Sequence, residues 1–206
     1  QHKQEAYEGR IAAMTLAYFF EHAPPIGKFD ARDVVIVDEA HGLLDWAEMY
    51  GTIKLGPETV PEWYKLHPPD IQSISEAATW AGHAHAHLTT KKETLASRDR
   101  LDAEEAGLLG QLRRVTENLS WFLEEVDEPD TATRWLFDQP DGEGGAVTIR
   151  PLNPERVLQH TLWKRGENFL LLSATLLNKP AFCRSVGVNP ERVGFVRLDH
   201  TFPLEH

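Results

Sequence analysis

Val34–His41 reads VVIVDEAH, four β-branched aliphatic residues running straight into two acids, an alanine and a histidine. An unbroken apolar run of this length fits a strand buried on both faces, as in a parallel sheet. Charged residues at its carboxyl end then stand where open α/β sheets bind their ligands. Asp38 and Glu39 have the placing of a Walker B pair, in which one acid holds Mg²⁺ and its neighbour aligns an attacking water. The plainer alternative is a strand with a solvated end. The complete DEAH, followed by Gly42, weighs towards a nucleotide site.

Leu170–Leu176, reading LLLSATL, is a second buried-strand run, and it ends in Ser-Ala-Thr. Both runs end in short polar motifs that must face one ligand, so Asp33–Val37 and Phe169–Ser173 are expected as adjacent parallel strands. Ile11–Thr15 reads as a third strand flanking the first, giving the order 11–15, 34–37, 169–173. The fold class expected is α/β with an α-helical insertion: a partial parallel sheet interrupted by a long antiparallel helical hairpin. Such a sheet has a bare edge, which invites self-association.

A DEAH box followed by an SAT strand resembles motifs II and III of superfamily 2 helicases. RIAAMTLAYFF before the box, the long insertion after it, and SATLL…F…GV…FPLEH at the end resemble the iron–sulfur DNA helicases of the XPD/DinG type, most closely the archaeal XPD-like branch. The likeness covers both ends of the chain and reaches the middle only by position and helical character. It implies ATP-dependent 5′→3′ translocation on single-stranded DNA, with unwinding and repair as the setting. It implies that Asp38 holds Mg²⁺ through its water shell, that Glu39 polarises the water, and that His41, Ser173 and Thr175 relay the γ-phosphate state to DNA grip. ATP with Mg²⁺ is the implied ligand and a 4Fe-4S cluster the family's cofactor. An archaeal cytoplasmic or nucleoid-associated setting follows from the same likeness. The segments it implies are a partial RecA-like motor domain over 1–50, an arch over 51–150 and a return to the motor domain over 151–206.

Composition sets limits on that reading. No G-x-x-x-x-G-K-[ST] occurs, so the chain carries no phosphate loop. Its one cysteine, Cys183, excludes a disulfide framework and a four-cysteine cluster site. The chain therefore reads as an excised piece that lacks ATPase activity alone, its polar start showing no signal peptide. No run approaches the roughly 18 apolar residues of a membrane span. The net charge is −11, with 32 acids against 21 bases, whereas DNA binders usually carry a basic stripe. Either the main DNA contacts lie elsewhere in the parent, or the surface is salt-adapted, or the piece is an ordinary acidic domain.

Along the chain, Gln1–Gly9 is helix-compatible, Leu16–His22 reads as a helix, and Ala23–Arg32 as a loop. A helix is expected over Gly42–Tyr50, then a turn-rich connector over Gly51–Pro69, with Trp63 and Tyr64 packing it down. Asn153 with Pro154 starts a helical stretch over Pro151–Trp163. Arg134–Phe137 and Ala146–Ile149, around QPDGEGG, read as a β-hairpin. Lys179–Val186 reads as a helix and Val193–Leu198 as a short strand. FPLEH stays unassigned between native sequence and a tag remnant.

The middle carries a heptad seam. Asp70 is placed to cap a long helix with Ile71, Ile74, Ala78, Ala81, His85, Leu88, Lys92 and Leu95 on one face. After a break at Ser97–Asp102, Leu108, Leu112, Val115, Leu119, Phe122 and Val126 repeat the spacing, so a hairpin over 70–126 is expected. It lies where the XPD-like family inserts its arch. His83, His85 and His87 form an HxHxH run, but only His83 and His87 share a helix face and no acid or cysteine completes a tetrahedral set, so no zinc site is expected. Lys91, Lys92, Arg98, Arg100, Arg113 and Arg114 could meet single-stranded DNA. Interleaved acids make a salt-laced solvated surface the better account. The competing function class is a non-catalytic module whose arch docks protein partners; a metal-binding hairpin is a third.

Overall fold

The computed structural model of the chain describes residues 9–22, 31–60, 65–66, 70–126, 134–138, 145–176 and 178–198. The expectations for Gln1–Glu8, most of the 23–32 loop, Trp63, Tyr64, the QPDGEG connector and FPLEH lie outside those residues. The architecture is mixed α/β: a small parallel sheet, an antiparallel sheet, and helices that pack between them.

The parallel sheet pairs Arg32–Val37 (β1) with Gly166–Leu171 (β5), Val34 opposite Asn168 and Val37 opposite Leu171. Two strands about 130 residues apart are thus parallel neighbours, as their matched apolar runs and polar ends predict. The ladder continues past the strands, where Leu172 N donates to Val37 O at 2.8 Å and Ala40 N to Leu172 O at 2.9 Å.

Two details of this sheet differ from expectation. Residues 11–15 form no strand, and among the described residues the sheet has two strands only. Thr15 is used instead to start a helix, Leu16–His22 (α1): its Oγ1 accepts from Tyr18 N at 3.1 Å and its carbonyl from Phe19 N at 2.9 Å. Nor is the sheet covered on both faces. Strand side chains alternate, so Val35, Val37, Phe169 and Leu171 turn towards the core, while Val34 and Ile36 are 55% and 63% exposed and Leu170 and Leu172 lie beside them at 48% and 43%.

A 3-10 turn over Ala40–Gly42 leads into Leu43–Gly51 (α2). Its buried face, Leu43, Ala47, Tyr50 and Gly51, packs on α1 through Phe20, whose ring lies 5.6 Å from that of Tyr50. Next comes Ile53–Leu55 (β2), inside the stretch expected to be only connector. Its cue was the alternation of buried Ile53 and Leu55 about exposed Lys54, too short to stand out among flanking Gly and Pro. β2 pairs antiparallel with Val147–Pro151 (β4), which pairs with Trp135–Asp138 (β3), giving the order β2-β4-β3. The expected β-hairpin is therefore present, with one strand more.

Ile74–Ala96 (α3) and Ala103–Val126 (α4) form the helical hairpin. Contacts between residues 85 and 120, 92 and 116, and 98 and 105 fix it as antiparallel. The cap of α3 is Ser73, not Asp70: Ser73 Oγ accepts from Glu76 N, and Glu76 reaches back to Gln72 N at 2.8 Å. This is a variant of the capping box, in which the acid reaches the amide one residue before the cap, and Asp70 stands too far upstream to make it. Asp102 and Glu105 form the matching pair at the start of α4. The buried seam of α3 is Ala77, Trp80, Ala81, Ala84, Leu88 and Leu95, while Ile74, Ala78, His85 and Lys92 lie at its margin. Alanines give so little contrast on the sequence that the expected seam lies partly one residue off. On α4, Leu112, Val115, Leu119 and Phe122 are buried as expected.

Pro154–His160 (α5) follows β4, preceded by Asn153, which makes no side-chain cap bond. Lys179–Ser185 (α6) follows β5, capped by Asn178 Oδ1 on Ala181 N at 2.9 Å. Val193–Leu198 is not a strand: it has no ladder partner among the described residues, and Val196 and Leu198 stand exposed. The core runs without interruption from Phe20 and Leu43 through Leu119 and Phe122 to Leu158 and Leu162. No helix among the described residues is long and apolar enough to cross a membrane.

Candidate functional site

The parallel pairing of β1 and β5 brings the DEAH and SAT segments to one end of one sheet. His41 Nδ1 lies 3.0 Å from Ser173 Oγ, joining residues 132 positions apart. Ser173 Oγ also accepts from Thr175 N at 3.2 Å and lies 3.3 Å from Thr175 Oγ1. On the other side, His41 Nδ1 is 3.1 Å from Glu39 Oε2. A ring nitrogen that faces a carboxylate carries its proton, so Nδ1–H is shared between Glu39 and Ser173. Four of the five expected site residues thus form one chain: Glu39, His41, Ser173, Thr175.

The fifth, Asp38, is turned back on the backbone: its Oδ1 accepts from Glu39 N at 2.9 Å. That bond accompanies an unusual main chain. Glu39 is at φ 52°, ψ 42°, the only non-glycine residue with positive φ among those described. A left-handed residue with a long side chain costs of the order of 1–2 kcal/mol. The chain accepts it because Val37 is locked in the ladder and Ala40 is fully buried and bonded to Leu172. Nothing in the sequence announces this turn, since glutamate has no preference for it.

Asp38 and Glu39 are both exposed at the carboxyl ends of the strands. Among the described residues no group of three or more His, Cys, Asp or Glu could hold a metal ion. Magnesium keeps several waters and takes further ligands from substrate phosphates; the residues that would face it are Asp38, with one oxygen on Glu39 N, and Glu39, held by His41. The residues do not fit an iron–sulfur cluster, since the only cysteine, Cys183, is buried and alone.

The three hairpin histidines do not converge. His83 is exposed, His85 Nε2 lies 3.0 Å from Ser120 Oγ, and His87 is half-buried with its Nε2 unbonded. Burial first, and then the Lys92 charge, lowers the pKa of His85. The basic group is spread along the hairpin. Arg98 pairs with Glu105 beside Arg100 at the turn, and Lys92 donates to Thr116 Oγ1 at 3.3 Å from the edge of the seam. Lys91, Arg113 and Arg114 occupy the helices further from the turn.

Two polar arrangements went unread in the sequence. Glu125 is buried in α4, where Arg156 binds its Oε1 from Nε at 2.9 Å and again through Nη2, and Trp135 Nε1 donates to Oε2 at 3.1 Å. Asn118, also buried in α4, donates from Nδ2 to Tyr50 O at 2.7 Å. Beside it, Tyr50, Glu117, Trp121 and His160 border a cavity of about 30 Å³, room for a water and little more. Burial raises the pKa of the Glu117 carboxyl and, with the Glu117 charge adding to it, lifts that of the Tyr50 phenol far above its usual range. No family model and no curated protein matches this chain.

Proposed function

We propose that the chain belongs to an ATP-dependent DNA helicase similar to the XPD-like iron–sulfur helicases, as the arch together with flanking parts of the first motor domain. The observation that carries the reading is the 3.0 Å contact between His41 and Ser173. It joins a DEAH and an SAT motif at the carboxyl ends of parallel neighbours, where α/β sheets hold their ligands.

In this reading Glu39 orients the water that attacks the γ-phosphate, and His41, Ser173 and Thr175 sense whether that phosphate is present. Asp38 would hold the magnesium that arrives with ATP, an ion that neutralises phosphate charge when bound. Catalysis of this kind is positional and electrostatic. The grip on the triphosphate comes from a part of the parent that this chain does not contain, because no phosphate loop is present. The Glu39–His41 contact gives a resting arrangement in which the water-orienting acid is held by the relay histidine. Single-stranded DNA is the substrate of the parent, with the helical hairpin guiding it. The left-handed turn at Glu39 supports the reading independently, since backbone strain of this kind gathers where geometry serves chemistry.

Two measurements test it. In the parent protein Glu39→Gln should abolish DNA-stimulated ATPase and unwinding together, with DNA binding kept. Retention of both activities would sink the helicase reading, and capture of a protein partner by the hairpin without DNA would favour the interaction module. For the chain itself, calorimetry should find no micromolar affinity for Mg·ATP, as two acids without a lysine or an amide nest hold a triphosphate weakly.

A further inference from the structure

The helix that begins at the site ends against the hairpin. α2 starts one residue after the 3-10 turn that holds His41, and spans nine residues, about 13 Å. At its start Ala40 N is bonded to Leu172 O, and Ala40 and Leu43 are fully buried. Its far end is held as firmly. The last carbonyls of a helix have no partner within it, and the Tyr50 carbonyl takes one from Asn118 of α4, a side chain 6% exposed. Gly51, beside it, packs so closely that a Cβ there would come within 2.7 Å of Val157 Cγ2 and 3.0 Å of Pro151 Cγ. The end of α2 is thus bonded to α4 through Asn118 and packed tightly against Val157 of α5 and Pro151 of β4.

We propose that Asn118 is a positioning residue: through its bond to the Tyr50 carbonyl the helical hairpin sets α2, and α2 sets His41 against Ser173. The purpose of this link rests on the reading of His41 and Ser173 as a relay, but its existence does not. A helix moves as a rigid rod over so short a length, and packed interfaces yield in steps, not by continuous deformation. A tilt of the hairpin at Asn118 is thus delivered to the 40–42 turn about 13 Å away. The other polar contacts between α3 and α4, such as Lys92 with Thr116, lie within the hairpin and offer no such route.

Two-dimensional amide NMR on the full chain tests the link. Asn118→Leu keeps the bulk and removes the donor. It should shift the amides of Ala40, His41, Gly42 and Ser173 as well as those around Tyr50. Thr116→Val breaks the neighbouring contact on the same helix and should leave those four amides in place. Shifts confined to the neighbourhood of Tyr50, or equal effects from the two variants, would overturn the proposal. Should Asn118→Leu fail to fold, native-state hydrogen exchange on the unaltered chain decides. The amides of α2 and those of residues 115–122 should open as one unit, with the same denaturant dependence; a separate, easier opening of α2 overturns it. An ATPase-dead parent cannot mimic either result, so failure of the helicase reading remains distinguishable.

Discussion

Glu39 shows how far a single residue can depart from what its type prefers. Its left-handed backbone is imposed by the ladder before it and by buried Ala40 after it. Glu39→Gly should therefore stabilise the chain by up to about 1 kcal/mol, although it removes the acid on which the proposed chemistry depends; a lower melting temperature would show that the turn is not under strain. The buried pair of Glu125 and Arg156 predicts the opposite sign. Breaking a fully buried pair costs about 3–5 kcal/mol, and because Arg156 is partly solvated, Arg156→Leu should cost nearer 2–3 kcal/mol in denaturant melts. Protonation adds a pH dependence. His85 and His160 have pKa values below the ordinary 6.5, through burial first and then nearby lysines. A base lowered in this way contributes its full stability above pH 6.5 and loses it as the pH falls towards the folded-state value. Glu117 is raised above 4.5 by burial and works in the other direction, losing stability as the pH rises through its own range. From pH 7.5 to 5.5 the two histidines supply a loss of stability and Glu117 a gain, and together they set the slope. Replacing both histidines with glutamine should flatten that slope; an unchanged slope would clear them.

At the scale of elements, the hairpin was legible because its two helices repeat apolar residues at three- and four-residue spacing, and this survives any error in boundaries. Leu112, Val115, Leu119 and Phe122 could be read directly as core. The facing seam lies partly one position away from the expected one, because alanines carry it and chemical type alone does not mark them as buried. His85 and Lys92 remain polar at its margin, bonded to Ser120 and Thr116. Leucine at both positions should raise the melting temperature, since each buried methylene contributes about 0.8 kcal/mol and Thr116 keeps its second bond, to the Arg113 carbonyl. A lower melting temperature would mean that the cross-helix hydrogen bonds matter more than the added burial. β2 and the absent strand at residues 11–15 make the complementary point. A three-residue strand is too short for periodicity, and at residues 11–15 the chain spends Thr15 on capping α1 although an edge of β1 has no strand partner among the described residues.

For the whole molecule the outer face of the parallel sheet has the largest consequence. Val34, Ile36, Leu170 and Leu172 form a contiguous exposed apolar row, and such rows invite association. The charge of −11 opposes it, so self-association should strengthen as salt screens that charge. Sedimentation velocity at low and high salt should show this, and Ile36→Lys with Leu170→Lys should abolish it. Association unaffected by those two lysines would place the contact elsewhere.

Sequence alone determined what is local or periodic: the two strands with polar ends, the heptad helices, the β-hairpin and the residue types of the candidate site. Each is written in side-chain spacing or in a contiguous run, and either can be read without knowing what lies opposite. The parallel pairing of β1 and β5 could also be inferred, because both are apolar runs that end in short polar motifs. Tertiary structure decided everything that depends on a partner distant in sequence. It chose which sheet face is packed, and it turned Glu39 left-handed between a locked strand and a buried alanine. It brought His41 to Ser173, placed Arg156 on Glu125 and set Asn118 on the Tyr50 carbonyl. A hydrogen bond between residues 68 or 132 positions apart leaves no period in the chain, because its geometry exists only once the intervening elements have packed.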